Sequence, residues 1–137
     1  MVLTQPRQLA AIVTSGDPEL MLEMVRVCSE AARSGTPVRV FFRDESIPAI
    51  VRVDAPRAPG SGGAAAAPAL HQSSAQPVDA LLEALAAAGD VRLYACSSSL
   101  YIWGLEARDL IPAIHGSRGL VAFLAEDMAG AAAVLTF

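Results

Sequence analysis

The chain has no lysine; all ten of its basic residues are arginine. Schiff-base chemistry and lysine-based phosphate loops are thereby excluded. The arginines are scattered from Arg7 to Arg118 without forming a stripe, and the net charge is -4. Nucleic acid is therefore not an expected partner. Two cysteines, Cys28 and Cys96, are too few for a disulfide framework and suit a reducing compartment. No apolar run approaches the ~18 residues of a membrane span, and the N-terminus lacks a signal-peptide pattern. These absences lead to the expectation of a soluble, cytoplasmic protein with no membrane partner.

What is present is apolar. Hydrophobic residues make up 53% of the 137-residue chain and charged residues 18%. That composition excludes a disordered charged tail, and the length fits one domain with a real core. The surplus of apolar residues points to a buried interface and hence a homo-oligomer.

Gln8–Ser15 reads as a buried strand ended by Gly16. Asp17 followed by Pro18 is a helix start, and Leu20, Met21, Met24, Val25, Val27 and Cys28 continue at helical spacing until Gly35. Val38–Phe42 is a second strand, and Ile47–Val51 a short helical turn. Asp54–Pro77 is Gly/Ala/Pro-rich, with Pro56, Pro59, Pro68, a GSGG run and an AAAA run, and reads as a long loop or lid. Pro77–Ala88 is a helix closed by Gly89, and Val91–Ala95 a third strand. Ser97–Gly104 reads as a helix opened by a serine cap. Asp109–Ile114 is expected to hold a turn and the fourth strand, Ser117–Ala129 a helix, and Ala133–Phe137 the last strand. Alternation of this kind predicts an α/β fold: a three-layer, flavodoxin-like, five-stranded, mainly parallel sheet with helices on both faces.

In such sheets ligands gather at the carboxyl ends of the strands. Cys96 falls there, where a strand passes into a helix, followed by Ser97, Ser98 and Ser99. Free backbone N–H groups and the helix dipole at that position favour an anion, so a thiolate or persulfide is expected to be stabilised, with the serine hydroxyls as further donors. The competing reading is an inert cysteine buried at a strand end. Ser15 and Gly16 are placed to line a pocket at the same edge, but Thr14–Asp17 matches neither phosphate-loop pattern. His115, read as following the fourth strand, is either a loop residue or a group that orients the thiolate. Tyr94, Tyr101 and Trp103 are read as clustering around Cys96, as core or interface. Arg118 reads as solvated, and Cys28 as core packing. The histidines and cysteines have no metal-ligand spacing, and nothing points to a cofactor.

The stretch Leu93–Ile111, LYACSSSLYIWGLEARDLI, is similar to the DsrE/DsrF-like sulfur-relay proteins, in the branch with the pattern A-C-x-x-S-x-x-x-x-G-(hydrophobic)-x-x-x-(D/E)-L. Ala95, Cys96, Ser99, Gly104, Leu105, Asp109 and Leu110 fall on it. LAAIVTSGDP, VRVFF and the closing VLTF also match in position and type. The chain differs in having serine and leucine around the cysteine and FFRDESIP after the second strand. The resemblance implies a parallel-sheet subunit that forms homo-oligomers. It also implies that Cys96 carries sulfane sulfur as a persulfide and passes it to a rhodanese or a TusA-like carrier. The alternative is a non-catalytic oligomeric accessory or binding module in which Cys96 is structural.

Overall fold

The structure, a computed structural model, describes residues 7–55 and 77–137. Five strands, β1 (Gln8–Val13), β2 (Val38–Phe42), β3 (Val91–Cys96), β4 (Gly116–Arg118) and β5 (Ala131–Thr136), form one sheet in the order β4-β3-β2-β1-β5. Every pairing is parallel. The fold is thus of the expected α/β class, and its sheet is parallel throughout. Most of the long segment read as a loop or lid, residues 56–76, lies outside the described residues.

The chain steps from β1 to β4 in one direction, so the connecting helices share one face of the sheet. They are α1 (Pro18–Arg33), α2 (Val78–Ala86) and the short α3 (Ser97–Ile102). The Asp17 carboxylate caps α1, accepting from the Glu19 N–H at 2.8 Å, and Pro18 sits where its missing N–H costs nothing. Gly35 ends this helix at φ +93°, a conformation that glycine adopts without penalty. Met21, Met24, Val25, Cys28 and Ala32 form its buried stripe.

Strand alternation divides the remaining apolar residues. Leu9, Ala11, Val13, Val38, Val40, Phe42, Val91, Leu93 and Ala95 join the helices in one large core. A 3₁₀ segment, Asp44–Ile50, adds Ile47, Ala49 and Ile50 to it. The opposite face holds a small cluster of Ala10, Phe41, Cys96 and Phe123, with Ile12, Tyr94, Leu120, Met128 and Ala131 packed against it. Its cover is α4, which begins as a single α turn (Leu120–Ala122) and widens into a π-helix (Phe123–Met128).

Two expectations near the C-terminus are corrected. The fourth strand is Gly116–Arg118, not part of Asp109–Ile114. Leu110, Ile111, Ala113 and Ile114 are buried, which gives them a strand-like pattern. Their backbone instead meets the end of the 3₁₀ segment: Val51 bridges antiparallel to Leu110, and the Ile111 N–H donates to the Ile50 carbonyl at 2.9 Å. Pro112 has no N–H to offer a ladder. The helix expected over Ser117–Ala129 starts at Leu120, because Ser117 and Arg118 are held by Ala95 and Cys96 in the sheet. The first strand likewise ends at Val13, since the N–H groups of Thr14 and Ser15 turn to the Phe137 carbonyl.

Candidate functional site

All five strands point the same way, so the segments after β1, β2 and β3 meet at one edge. There the Ser15 hydroxyl accepts from the Asp17 N–H at 3.1 Å, and Gly16 sits half-buried in the turn. Past β2, the Arg43 N–H donates to the Val13 carbonyl at 2.9 Å. The Ser46 hydroxyl reaches the same carbonyl at 2.8 Å. Asp44 then takes φ +52°, which costs an L-residue about 1 kcal/mol or more. Two contacts from α3 and its C-cap hold it: its N–H donates to the Ser99 hydroxyl, and the Trp103 indole N–H donates to its carbonyl, each at 3.0 Å. Arg43 Nε lies 3.1 Å from Asp44 Oδ2, an ion pair that is not aligned as a hydrogen bond. Beside this clamp is a cavity of about 220 Å³ lined by Asp44, Glu45, Ser99, Ile102 and Trp103.

Cys96 is the last residue of β3 and the N-cap of α3. Its side chain takes no hydrogen bond from the helix N–H groups, contrary to the expectation of a thiol held by the helix start. The strand register sends it to the opposite face of the sheet, into the cluster with Phe41 and Phe123, where it is 3% exposed. It does not line the cavity. The serines divide as well. Ser97 and Ser98 are exposed, whereas Ser99 is buried with its hydroxyl committed to Asp44.

The expectation that His115 orients the thiolate is corrected. His115 lies immediately before β4, where its Nδ1 accepts from the Leu93 N–H at 3.0 Å. Its own N–H donates to the Leu93 carbonyl at 2.8 Å. Leu93 is three residues before Cys96, about 10 Å away along a strand. Burial lowers the His115 pKa first, and the Arg92 charge lowers it further. The aromatics do not gather around Cys96 either. Tyr94 shares its face, but Tyr101 is 86% exposed and Trp103 faces the cavity. Cys28 is fully buried in the large core, and its thiol is pushed up to about 12 by that burial. The sheet separates it from Cys96.

Arg118, which the sequence presented as a solvated residue, is the register partner of Cys96 on β4. Its guanidinium lies 5.2 Å from the Tyr94 ring centre and is held by two carboxylates. Nε meets Asp127 Oδ2 at 2.6 Å, and the other contact is to Glu126. Eight and nine residues match no helical pair spacing, so no sequence signal marked this group. Among the described residues, no three or more His, Cys, Asp or Glu side chains are grouped to hold a metal ion, and no helix is long and apolar enough to cross a membrane.

The model of the DsrE/DsrF-like family matches residues 8–137. No curated protein matches the sequence. Among solved structures, the chain is similar to a protein of unknown function from Methanobacterium thermoautotrophicum. That match has a TM-score of 0.61 and 14% identity, over 96% of this chain and 99% of the other. At that identity the likeness speaks for the fold alone.

Proposed function

The chain belongs to the DsrE/DsrF-like family, and from that premise we propose that it is a sulfur-relay protein whose carrier atom is the Cys96 sulfur. The observation that carries this reading is the position of Cys96 at the carboxyl end of β3, paired in register with Arg118. The Cys96 thiolate attacks the outer sulfur of a persulfide R–S–S–H. One S–S bond forms and one breaks. The leaving R–S takes the bond's electron pair and the proton, departing as R–S–H. Cys96 is left as an anionic persulfide with no net oxidation. Transfer to an acceptor, a rhodanese or a TusA-like carrier, repeats the exchange in the other direction. Assembly into a homo-oligomer belongs to the same reading and is supported by Tyr101 and Ile102 on α3 and Val134 on β5, large and exposed away from α4.

One observation favours a second reading, an accessory module with a structural cysteine: Cys96 is buried among Ala10, Phe41 and Phe123. Intact-protein mass spectrometry after separate incubation with polysulfide, thiosulfate and tetrathionate decides between them. Under the carrier reading, a reducible sulfur adduct forms on wild type and Cys28→Ser and is absent from Cys96→Ser. An adduct that survives in Cys96→Ser, or none with any donor, leaves the module.

A further inference from the structure

A carrier sulfur has to meet its donor, yet Cys96 is 3% exposed. What lies over its cluster is slight. From α4 only Phe123 enters the buried cluster, its ring 4.7 Å from that of Phe41, with Leu120 and Met128 at the margin. Val121 is 78% and Leu124 37% exposed on the outer side of the same segment. Six of its nine residues form a π-helix, a less regular turn that is frequent at functional sites.

The polar anchors of this segment are concentrated at one place. The Arg118 guanidinium holds Asp127 and Glu126, and the Gln8 side-chain amide donates to the Asp127 carbonyl. All three contacts grip its last turn. Arg118 is 25% exposed and Asp127 11%, so their pairing is more sheltered than a surface ion pair. Arg118 is also fixed in the strand beside Cys96.

We propose that Leu120–Met128 is a hinged cover over Cys96, latched by Arg118 on Asp127 and Glu126, and that its opening admits the incoming sulfur compound. The proposal rests on the carrier reading of Cys96. Undoing the latch has two consequences together. Phe123 lifts from the cluster, and the Arg118 guanidinium is freed from its carboxylates on the strand that pairs with Cys96. The resting protein thus keeps its thiol shielded.

The test is the rate of alkylation at each cysteine of the native full-length protein, read by peptide mass spectrometry. The samples are wild type, Arg118→Met and Asp127→Ala. When closing outpaces labelling, the rate reports the open population. Cys28, fully buried in the other core, reports global unfolding. The expected result is slow labelling of Cys96 in wild type, about tenfold faster labelling in both variants, and an unchanged Cys28 rate. The proposal is overturned if wild-type Cys96 reacts as fast as a free thiol or if neither variant accelerates it. It is also overturned if Cys28 rises in step with Cys96. Polysulfide loading of the same samples separates the two ideas. Faster alkylation without any persulfide sinks the carrier reading and leaves the cover. Persulfide formed at one rate in all three proteins sinks the cover and leaves the carrier.

Discussion

On one face of the sheet, Val38, Val40, Leu93 and Ala95 lie fully buried beneath α1, α2 and the 3₁₀ segment. On the other, Arg39 and Tyr94 of the same two strands and Ile12 of β1 stay half-exposed beside Phe41 and Cys96. Strand periodicity sends alternate residues to each side, so the contrast arises from what covers them. Helices of sixteen and nine residues close the first face, whereas the second has one short, partly π-helical segment. Two cysteines sample the two environments. Cys28 sits deep in the thick core, and Cys96 lies under the thin cover. Stability is concentrated where the chain carries no proposed chemistry, and the proposed reactive sulfur is placed where local opening disturbs little else.

The strongest way to break this comparison is to cut a large side chain from each face. Leu82→Ala on α2 is expected to cost about 3 kcal/mol, because the well-packed core cannot collapse onto the space. Phe123 is itself fully buried, yet Phe123→Ala is expected to cost only about 2 kcal/mol, because the short segment that carries it can resettle onto the space. Urea melts of both variants check this; a Phe123→Ala cost equal to or above that of Leu82→Ala abolishes the distinction.

Alkaline pH gives the next effect. The Cys28 thiol has an ordinary value of 9.0 and is pushed up to about 12 by burial. The folded state therefore holds the proton more tightly, and stability is lost as pH rises from 9 toward about 12. Urea midpoints across that range should fall in wild type and fall less in Cys28→Ala. Equal slopes would mean that the core admits the thiolate.

The smallest effect is expected at acid pH. The folded His115 pKa is lowered below 6.5, so the unfolded chain binds the extra proton first. Its contribution is present above pH 6.5 and lost as pH falls through and below that value. His115→Asn keeps an acceptor for the Leu93 N–H without titrating. Thermal melts between pH 7.5 and pH 5.5 (about one unit on either side of the unperturbed value) should show a shallower decline for the variant. An identical decline assigns the acid sensitivity to other groups.

Much of the thick face was legible in the sequence. Asp17-Pro18 announced α1, Met21, Met24 and Cys28 announced its buried side, and VRVFF and VRLYA announced the central strands. These signals are local: a cap, a helical period, a short apolar run. The thin face was hardly legible. GSR carries no strand pattern, yet it pairs with Tyr94–Cys96 because the preceding buried coil delivers it to the sheet edge. The Asp44 clamp joins residues 55 and 59 positions apart, which no local rule relates.

The sequence by itself determined the α/β class, the parallel sense of the sheet and the placing of Cys96 at the carboxyl end of a strand. Each follows from the order and period of elements along the chain. Tertiary structure alone decided which face the Cys96 sulfur occupies, what covers it and which residue of β4 pairs with it. Side-chain direction at a strand end depends on register with β2 and β4, and the cover depends on where the last crossover returns. His115 and Arg118 illustrate the point. A shift of three residues along the chain into β4 separates the histidine read as a candidate for orienting the thiolate from the arginine that is the register partner of Cys96.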